Sequence, residues 1–72
     1  MTNTNLLKSK MIAAGDENYV EVLASLLNIS RTTASKKLNG NTTFNQLEIA
    51  VLAARYNFSN DDINEIFVGV DR

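Results

Sequence analysis

Hydrophobic residues recur along this chain at intervals of three and four, the spacing that places side chains on one face of an α-helix. The pattern predicts helices at about 5–14, 19–27, 31–38, 46–56 and 60–67. The clearest hydrophobic stripe, in the second segment, consists of Val20, Leu23, Ala24 and Leu27. Signals for β-strands are poor. We therefore expect an all-α protein, a compact bundle of five helices.

Residues that favour helix ends stand at the predicted boundaries. Candidate N-caps precede four of the segments: Asn18, Ser30, Asn45 and Ser59. Glu21 and Glu48 each follow such a cap by three residues, which is the capping-box pattern. Gly15 supplies a left-handed stop for the first helix. Asn28 lies in the turn between the second and third helices, where it tolerates a positive φ.

The fourth predicted helix, 46–56, carries hydrophobic residues on two sides. One stripe consists of Ile49, Leu52, Ala53 and Tyr56, and the other consists of Leu47, Val51 and Ala54. A helix with hydrophobic residues on two sides tends to be covered on both. We therefore expect this helix to lie at the centre of the domain.

The length of 72 residues fits a single domain spanning residues 1–72. The chain has no Cys and no His, which excludes disulfide bonds and the usual zinc sites. It also lacks a glycine-rich phosphate loop and a carboxylate cluster, so we expect no enzyme, no cofactor and no metal. No hydrophobic run reaches the roughly 18 residues of a membrane span, and residues 1–5 lack signal-peptide character. We expect a cytoplasmic protein that does not enter a membrane.

The charged residues are unevenly distributed along the chain. The net charge is −1 and the pI is about 5.1, whereas DNA-binding domains usually carry a clear positive excess. Residues 1–40 contain five basic and three acidic side chains, and residues 41–72 contain two basic and five acidic ones. Such a division lets one face be positive while the whole chain is acidic. It permits a nucleic-acid partner but indicates weak electrostatic attraction to phosphates.

Residues 24–40 read Ala-Ser-Leu-Leu-Asn-Ile-Ser-Arg-Thr-Thr-Ala-Ser-Lys-Lys-Leu-Asn-Gly. They combine a hydrophobic helix end, a tight turn and a second helix with lysines on its outside. This layout resembles, without a gap, the helix-turn-helix of λ-repressor-like (Cro/XRE-type) DNA-binding proteins. The resemblance implies a five-helix bundle whose helices 2 and 3, about 19–38, form the helix-turn-helix. It also implies a regulator of transcription similar to small phage Cro or modulator-of-repression proteins.

The third helix is expected to turn Ala34 and Leu38 toward the core. We expect a set of polar side chains on its exposed side: Arg31, Thr32, Ser35, Lys36 and Asn39. Thr33 and Lys37 flank this exposed side. The resemblance implies that the bases of DNA are read by Arg31, Thr32, Ser35 and Lys36.

Contacts to the DNA phosphates are expected from three further places. Backbone N–H groups near Asn18 and Tyr19 open the second helix and suit an anion. Lys37 offers an ammonium group, and the polar loop 39–43 offers hydroxyl and amide groups.

Two pairs of hydrophobic residues raise the question of a protein partner. Val22 and Leu26 lie on a side of the second helix other than its core stripe, and they either pack against a neighbouring helix or form an exposed strip that binds protein. Phe67 and Val70 share the i, i+3, i+4, i+7 stripe of the fifth helix with Ile63 and Ile66, but near the predicted tail 68–72 they also leave open a homodimer seam or a contact with another protein.

Two functions therefore stay open. The first is a phage-type transcriptional regulator that binds double-stranded operator DNA through the third helix, in a lysis–lysogeny or similar switch. The second is an anti-repressor, or modulator, that forms a hetero-complex with the phage repressor protein instead of binding DNA. Both place the protein in the cytoplasm of a bacterial host.

Overall fold

The structure of the protein is a computed structural model that describes residues 2–68. This part of the chain contains no β-strand and forms five helices: α1 (Thr4–Ala13), α2 (Tyr19–Leu27), α3 (Arg31–Leu38), α4 (Gln46–Tyr56) and α5 (Asn60–Ile63). The last of these continues without a break into a π-helical stretch, Asn64–Val68. The prediction of five helices is thus confirmed over residues 2–68, and the bounds of α1 to α4 differ from the predicted ones by at most one residue.

Side-chain caps hold the starts of α3, α4 and α5, as predicted. The Ser30 hydroxyl accepts the backbone N–H of Thr33 at 3.1 Å. Asn45 and Glu48 form a reciprocal capping box, in which the Glu48 N–H donates to Asn45 Oδ1 at 2.8 Å and the Asn45 N–H donates to Glu48 Oε1 at 3.0 Å. Ser59 caps α5 in the same way. These caps satisfy N–H groups that the helix itself leaves without acceptors.

The start of α2 differs from the prediction. Asn18 occupies the N-cap position, but its side chain makes no capping hydrogen bond, so the predicted capping box with Glu21 does not form. The backbone also differs: ψ is 62° at Asn18, whereas it is 160° at Ser30, which caps α3. The Glu21 carboxylate instead lies beside Arg31.

Asparagine residues in the left-handed conformation end two helices. Asn28 has φ 55° after α2, and Asn57 has φ 56° after α4. In both places the next residue donates its N–H back to the helix, at 3.0 Å from Ile29 to the Ala24 carbonyl oxygen and at 3.0 Å from Phe58 to that of Ala53. The predicted positive φ of Asn28 is confirmed, and it lets a turn of three residues, 28–30, join α2 to α3.

The helices enclose one hydrophobic core, formed by Leu7, Met11, Leu23, Ala24, Ala34, Leu38, Phe44, Leu52, Ile66 and Phe67. The two predicted anchors of α3, Ala34 and Leu38, are fully buried within it. Of the stripe predicted for α2, Leu23 and Ala24 are buried while Val20 and Leu27 are half-buried at the margin. The small side chain of Ala34 lies where α3 packs against α2.

The expectation that α4 lies at the centre of the domain is wrong. Leu52 is fully buried, but Leu47 is 75% exposed, and Ala50 and Ala54 are also at the surface. The helix packs against α2. Val51, the remaining member of the second stripe, is half-buried, so that stripe is largely open to solvent. Hydrophobic spacing shows which residues share a side but does not show how many sides are covered.

Phe67, a candidate for a protein interface, lies in the core together with Ile66 of the same predicted stripe. Its side chain is 8% exposed, and its ring meets that of Phe44 edge to face, with 5.5 Å between the centroids. Such a pair stabilises the fold from inside and is closed to a partner. Val70, the other candidate in the tail, lies outside the described residues.

Candidate nucleic-acid interface

The four residues predicted to read bases lie together on the outer side of α3. Arg31, Thr32 and Lys36 are exposed and Ser35 is half-buried, whereas Leu38 of the same helix is buried. With Val20 of α2, the four line a shallow groove of about 530 Å³. This groove, lined by Val20, Arg31, Thr32, Ser35 and Lys36, is called the α3 groove below.

Local hydrogen bonds hold the polar side chains next to the α3 groove. The Ser30 hydroxyl, besides capping α3, donates to Thr33 Oγ1 at 3.0 Å. At the other end of the helix, Asn39 Nδ2 donates to Ser35 Oγ at 3.4 Å. Thr33 is half-buried and Asn39 is exposed. These bonds leave the Thr32 hydroxyl and the two cations as the groups of the groove most open to a ligand.

Ion pairs engage most of the positive charge in residues 2–68. Four of the six cations in this part of the chain have a carboxylate partner: Lys10, Arg31, Lys37 and Arg55. Arg31 Nη2 lies 3.4 Å from Glu21 Oε2, and both side chains are well exposed. Lys36 has no carboxylate partner among residues 2–68. The positive potential over the α3 groove therefore depends chiefly on one lysine.

The expectation that Lys37 lies beside the exposed side of α3 is wrong, because its side chain is buried. The residue is 9% exposed, and its ammonium group donates to the Thr43 carbonyl oxygen at 2.9 Å and to Glu48 Oε1 at 3.1 Å. The same nitrogen lies 5.5 Å from the centroid of the Phe44 ring. Lys37 thus connects α3, the following loop and the start of α4, and its charge is not available to a phosphate.

The start of α2, expected to bind phosphate, is surrounded by carboxylates. Asn18 is exposed and Tyr19 is half-buried, with Lys8 Nζ 5.8 Å from the centroid of the Tyr19 ring. Both residues line a depression of about 280 Å³ together with Glu17 and Glu21. The two acids counteract the positive end of the helix dipole. Any phosphate contact at this place would have to overcome their negative charge.

A second groove lies between α2 and α4. Its lining includes Val22, Ser25, Leu26 and Arg55, and its volume is about 340 Å³. Val22 and Leu26 are half-buried and pack against the core. The sequence left open whether these two residues pack inside or form an exposed strip. Both are partly true, because each side chain packs against the core and also lines the groove. This region, lined by Asn18, Glu21, Val22, Ser25, Leu26 and Arg55, is called the α2–α4 groove below.

Asp16 fixes Arg55 at the edge of the α2–α4 groove. The guanidinium group of Arg55 donates to both carboxylate oxygens of Asp16, with Nε–Oδ2 3.2 Å and Nη2–Oδ1 3.1 Å, and the Tyr56 hydroxyl donates to Oδ2 at 2.7 Å. The hydrogen bond from Tyr56 and the charge of Arg55 lower the pKa of Asp16. Burial, together with the hydrogen bond to Asp16, raises the pKa of Tyr56 to about 12. The carboxylate is therefore ionised and the phenol protonated at neutral pH. Arg55 and Tyr56 lie 39 and 40 positions after Asp16 in the chain, so no local sequence motif predicts these hydrogen bonds.

Residues 2–68 offer no group of three or more His, Cys, Asp or Glu side chains that could hold a metal ion. Over the same residues, no helix is both long enough and hydrophobic enough to cross a membrane. Comparisons of the chain with models of protein families, with curated proteins and with solved structures found no match. Residues 2–68 thus form a small all-helical domain with two surface grooves, the α3 groove and the α2–α4 groove.

Proposed function

We propose that this protein is a phage-type transcriptional regulator that binds double-stranded operator DNA through α3. In this proposal α2, the turn 28–30 and α3 form a helix-turn-helix, with α3 as the recognition helix in the major groove. One observation carries the proposal: the four polar side chains line a single surface groove on α3, while Ala34 and Leu38 anchor the same helix in the core.

The dimensions and chemistry of α3 suit the major groove. An α-helix with its side chains is about 10–12 Å across, and the major groove is about 12 Å wide. Arg31 or Lys36 would donate to the O6 and N7 atoms of a guanine. Thr32 would place its methyl group against that of a thymine.

The connection between α2 and α3 also supports this reading. The left-handed Asn28 ends α2 sharply, and Ser30 caps α3 two residues later. Ala24 and Ala34 are both buried, and side chains this small let the two helices pack closely. A rigidly held recognition helix presents its outer side chains at a fixed angle, which base reading requires.

The charges of the surface indicate a regulator of modest affinity. Non-specific binding depends on the number of phosphates that the protein neutralises. With Lys37 buried and Arg31 paired, few cations are left for the DNA backbone. Binding to a promoter should therefore depend on base contacts from α3. A second copy that pairs two recognition helices would strengthen it.

Replacing both Arg31 and Lys36 with Ala should abolish binding to operator DNA while leaving the fold intact. Each lost contact to a guanine is expected to cost about 1–3 kcal/mol of discrimination. The measurement is an amide NMR titration with duplexes from the promoter region of the gene, at two salt concentrations. In the unmodified protein, the shifts should cluster on residues 30–43 and weaken with salt.

Lys10→Gln is the matched control, because it removes one positive charge far along the chain from α3. Lys10 pairs with Asp62 at 3.3 Å, and because both side chains are half-buried the loss of the pair is expected to cost about 1 kcal/mol, which the fold should tolerate. This variant should bind DNA as the unmodified protein does. If the folded, unmodified protein shows no shifts at low salt, the DNA-binding proposal is wrong.

A second candidate function, an anti-repressor that binds the phage repressor, is favoured by the α2–α4 groove. Its half-buried Val22 and Leu26 give a hydrophobic floor, and Glu21 gives it a negative side. Recognition surfaces of DNA-binding repressors are positively charged, so an acid beside a hydrophobic groove suits such a partner.

Ser25→Arg tests this second function without disturbing the core, since Ser25 is exposed and lines the groove. We expect the variant to lose binding to the purified repressor of the same lysogeny region, measured by calorimetry, and to keep its DNA shifts. Val22→Glu and Leu26→Glu are less suitable, because both side chains also pack against the core. Unchanged repressor binding by the Ser25 variant would exclude this groove as the docking site.

A further inference from the structure

Glu21 and Arg31 connect the two helices that build the α3 groove. Glu21 belongs to α2, Arg31 is the first residue of α3, and Arg31 Nη2 lies 3.4 Å from Glu21 Oε2. The side chains are 58% and 73% exposed, respectively, so a ligand can reach both. The pair therefore lies at the surface proposed to meet DNA, and it neutralises one of the two cations there.

We propose that Glu21 is an affinity-determining residue that restrains DNA binding by competing with DNA for Arg31. This inference rests on the proposed function of α3. In the free protein the carboxylate holds the guanidinium group. When DNA binds, Arg31 exchanges the carboxylate for a base or phosphate, and Glu21 is left facing a polyanion. Arg31 then adds almost no net positive charge to the interface.

The failed capping box of α2 is part of the same arrangement. A glutamate three residues after an N-cap ordinarily accepts the N–H of the cap residue, and Glu48 does so at the start of α4. At α2 the reciprocal cap does not form, and a Glu21 carboxylate oxygen lies 3.4 Å from Arg31 Nη2 instead. The structure thus assigns Glu21 to the interface, although its sequence position predicts a role within its own helix.

Other acids near the α3 groove do not share this geometry. Glu17 lines the same depression at the start of α2, is exposed, and has no ion-pair partner among residues 2–68. It carries the same charge four positions earlier. Glu17 is therefore a natural reference that separates the specific contact to Arg31 from a general effect of negative charge.

Glu21→Gln is expected to raise the affinity for DNA roughly two- to fivefold at about 0.1 M salt, the range that corresponds to an exposed ion pair. The plot of log K against log salt should steepen by about 0.9, the contribution of one additional neutralised phosphate. Both values would be measured by fluorescence anisotropy with the promoter duplexes. In the absence of DNA, the Nε–H resonance of Arg31 should shift in the variant, because its carboxylate partner is gone.

Two variants test the mechanism. Glu17→Gln should raise the affinity by clearly less than Glu21→Gln does. In an Arg31→Ala background, Glu21→Gln should lose its additional effect. Equal gains from the two glutamine variants, or a full gain without Arg31, would mean that Glu21 acts only through its charge at a distance, and the inference would be wrong.

The result separates this inference from the proposed function. If the unmodified protein shows DNA-dependent shifts on α3 but Glu21→Gln binds with the same affinity and salt dependence, the restraint by Glu21 is excluded and the DNA-binding function stands. If neither protein binds DNA at low salt, while both are folded, the proposed function fails and this inference fails with it.

Discussion

Replacing Leu52 with Ala is expected to lower the free energy of unfolding by about 2–5 kcal/mol, whereas the same replacement of Leu47 should change it by less than about 0.5 kcal/mol. Both leucines belong to α4, but Leu52 is fully buried and Leu47 is 75% exposed. The first change removes hydrophobic contacts and leaves a cavity, and the second removes a side chain already in water. Domains have a total stability of only about 5–15 kcal/mol, so the Leu52 variant should be strongly destabilised.

Urea denaturation followed by circular dichroism would measure both values, with Leu47→Ala as the control of identical chemistry. The experiment should be repeated at two protein concentrations. A loss at Leu47 as large as that at Leu52 would contradict the one-sided packing of α4. If that loss also depended on concentration, it would indicate that another copy covers the exposed stripe of α4.

The helix boundaries could be predicted because their signals are local. Ser30 and Asn45 are caps that act on N–H groups three residues away, and Asn28 adopts its positive φ through its own backbone. Such interactions are encoded within a few neighbouring residues. The change from α-helix to π-helix after Ile63 has no comparable local signal, and the hydrophobic spacing predicts one regular helix over 60–67.

The exposure of individual side chains could not be predicted in the same way, because it depends on packing between distant segments. The two stripes of α4 look alike in sequence, yet Leu52 of one is fully buried and Leu47 of the other is 75% exposed. The stripe of the fifth helix includes Phe67 but does not show that its ring meets that of Phe44, which is 23 positions earlier. Asp16 binds Arg55 and Tyr56 from α4, although its position suggests no contact beyond the neighbouring turn.

The candidate site shows the same division. Arg31, seven residues before Leu38, falls nearly in line with that buried side chain and is exposed because it is the first residue of α3. The angular step of an α-helix is sufficient to place Thr32 and Lys36 away from the buried side of α3 once that side is known. It does not reveal that Arg31 already has a partner from α2. The positions of the polar groups were therefore predictable, but their electrostatic state was not, and that state determines how strongly the surface attracts DNA.

Lys36 and Lys37 are adjacent, but their replacement by Ala should lower the stability of the protein by very different amounts. Lys37→Ala is expected to cost about 1–3 kcal/mol of stability, because it deprives the Thr43 carbonyl oxygen and the Glu48 carboxylate of a donor in a largely buried place. Lys36→Ala, at an exposed position, should lower the free energy of unfolding by less than about 0.5 kcal/mol. Thermal and urea unfolding of the two variants would measure the difference.

Lys37→Met separates the charge of the lysine from the packing of its stem, since methionine keeps most of the hydrophobic length. We expect this variant to remain less stable than the unmodified protein, because Glu48 Oε1 would keep its bond to the Asn45 N–H but lose the ammonium group. Stability equal to that of the unmodified protein would show that the ion pair contributes nothing net, as some buried pairs do. In that case the loop between α3 and α4 would be held by hydrophobic contacts, chiefly those of the buried Phe44.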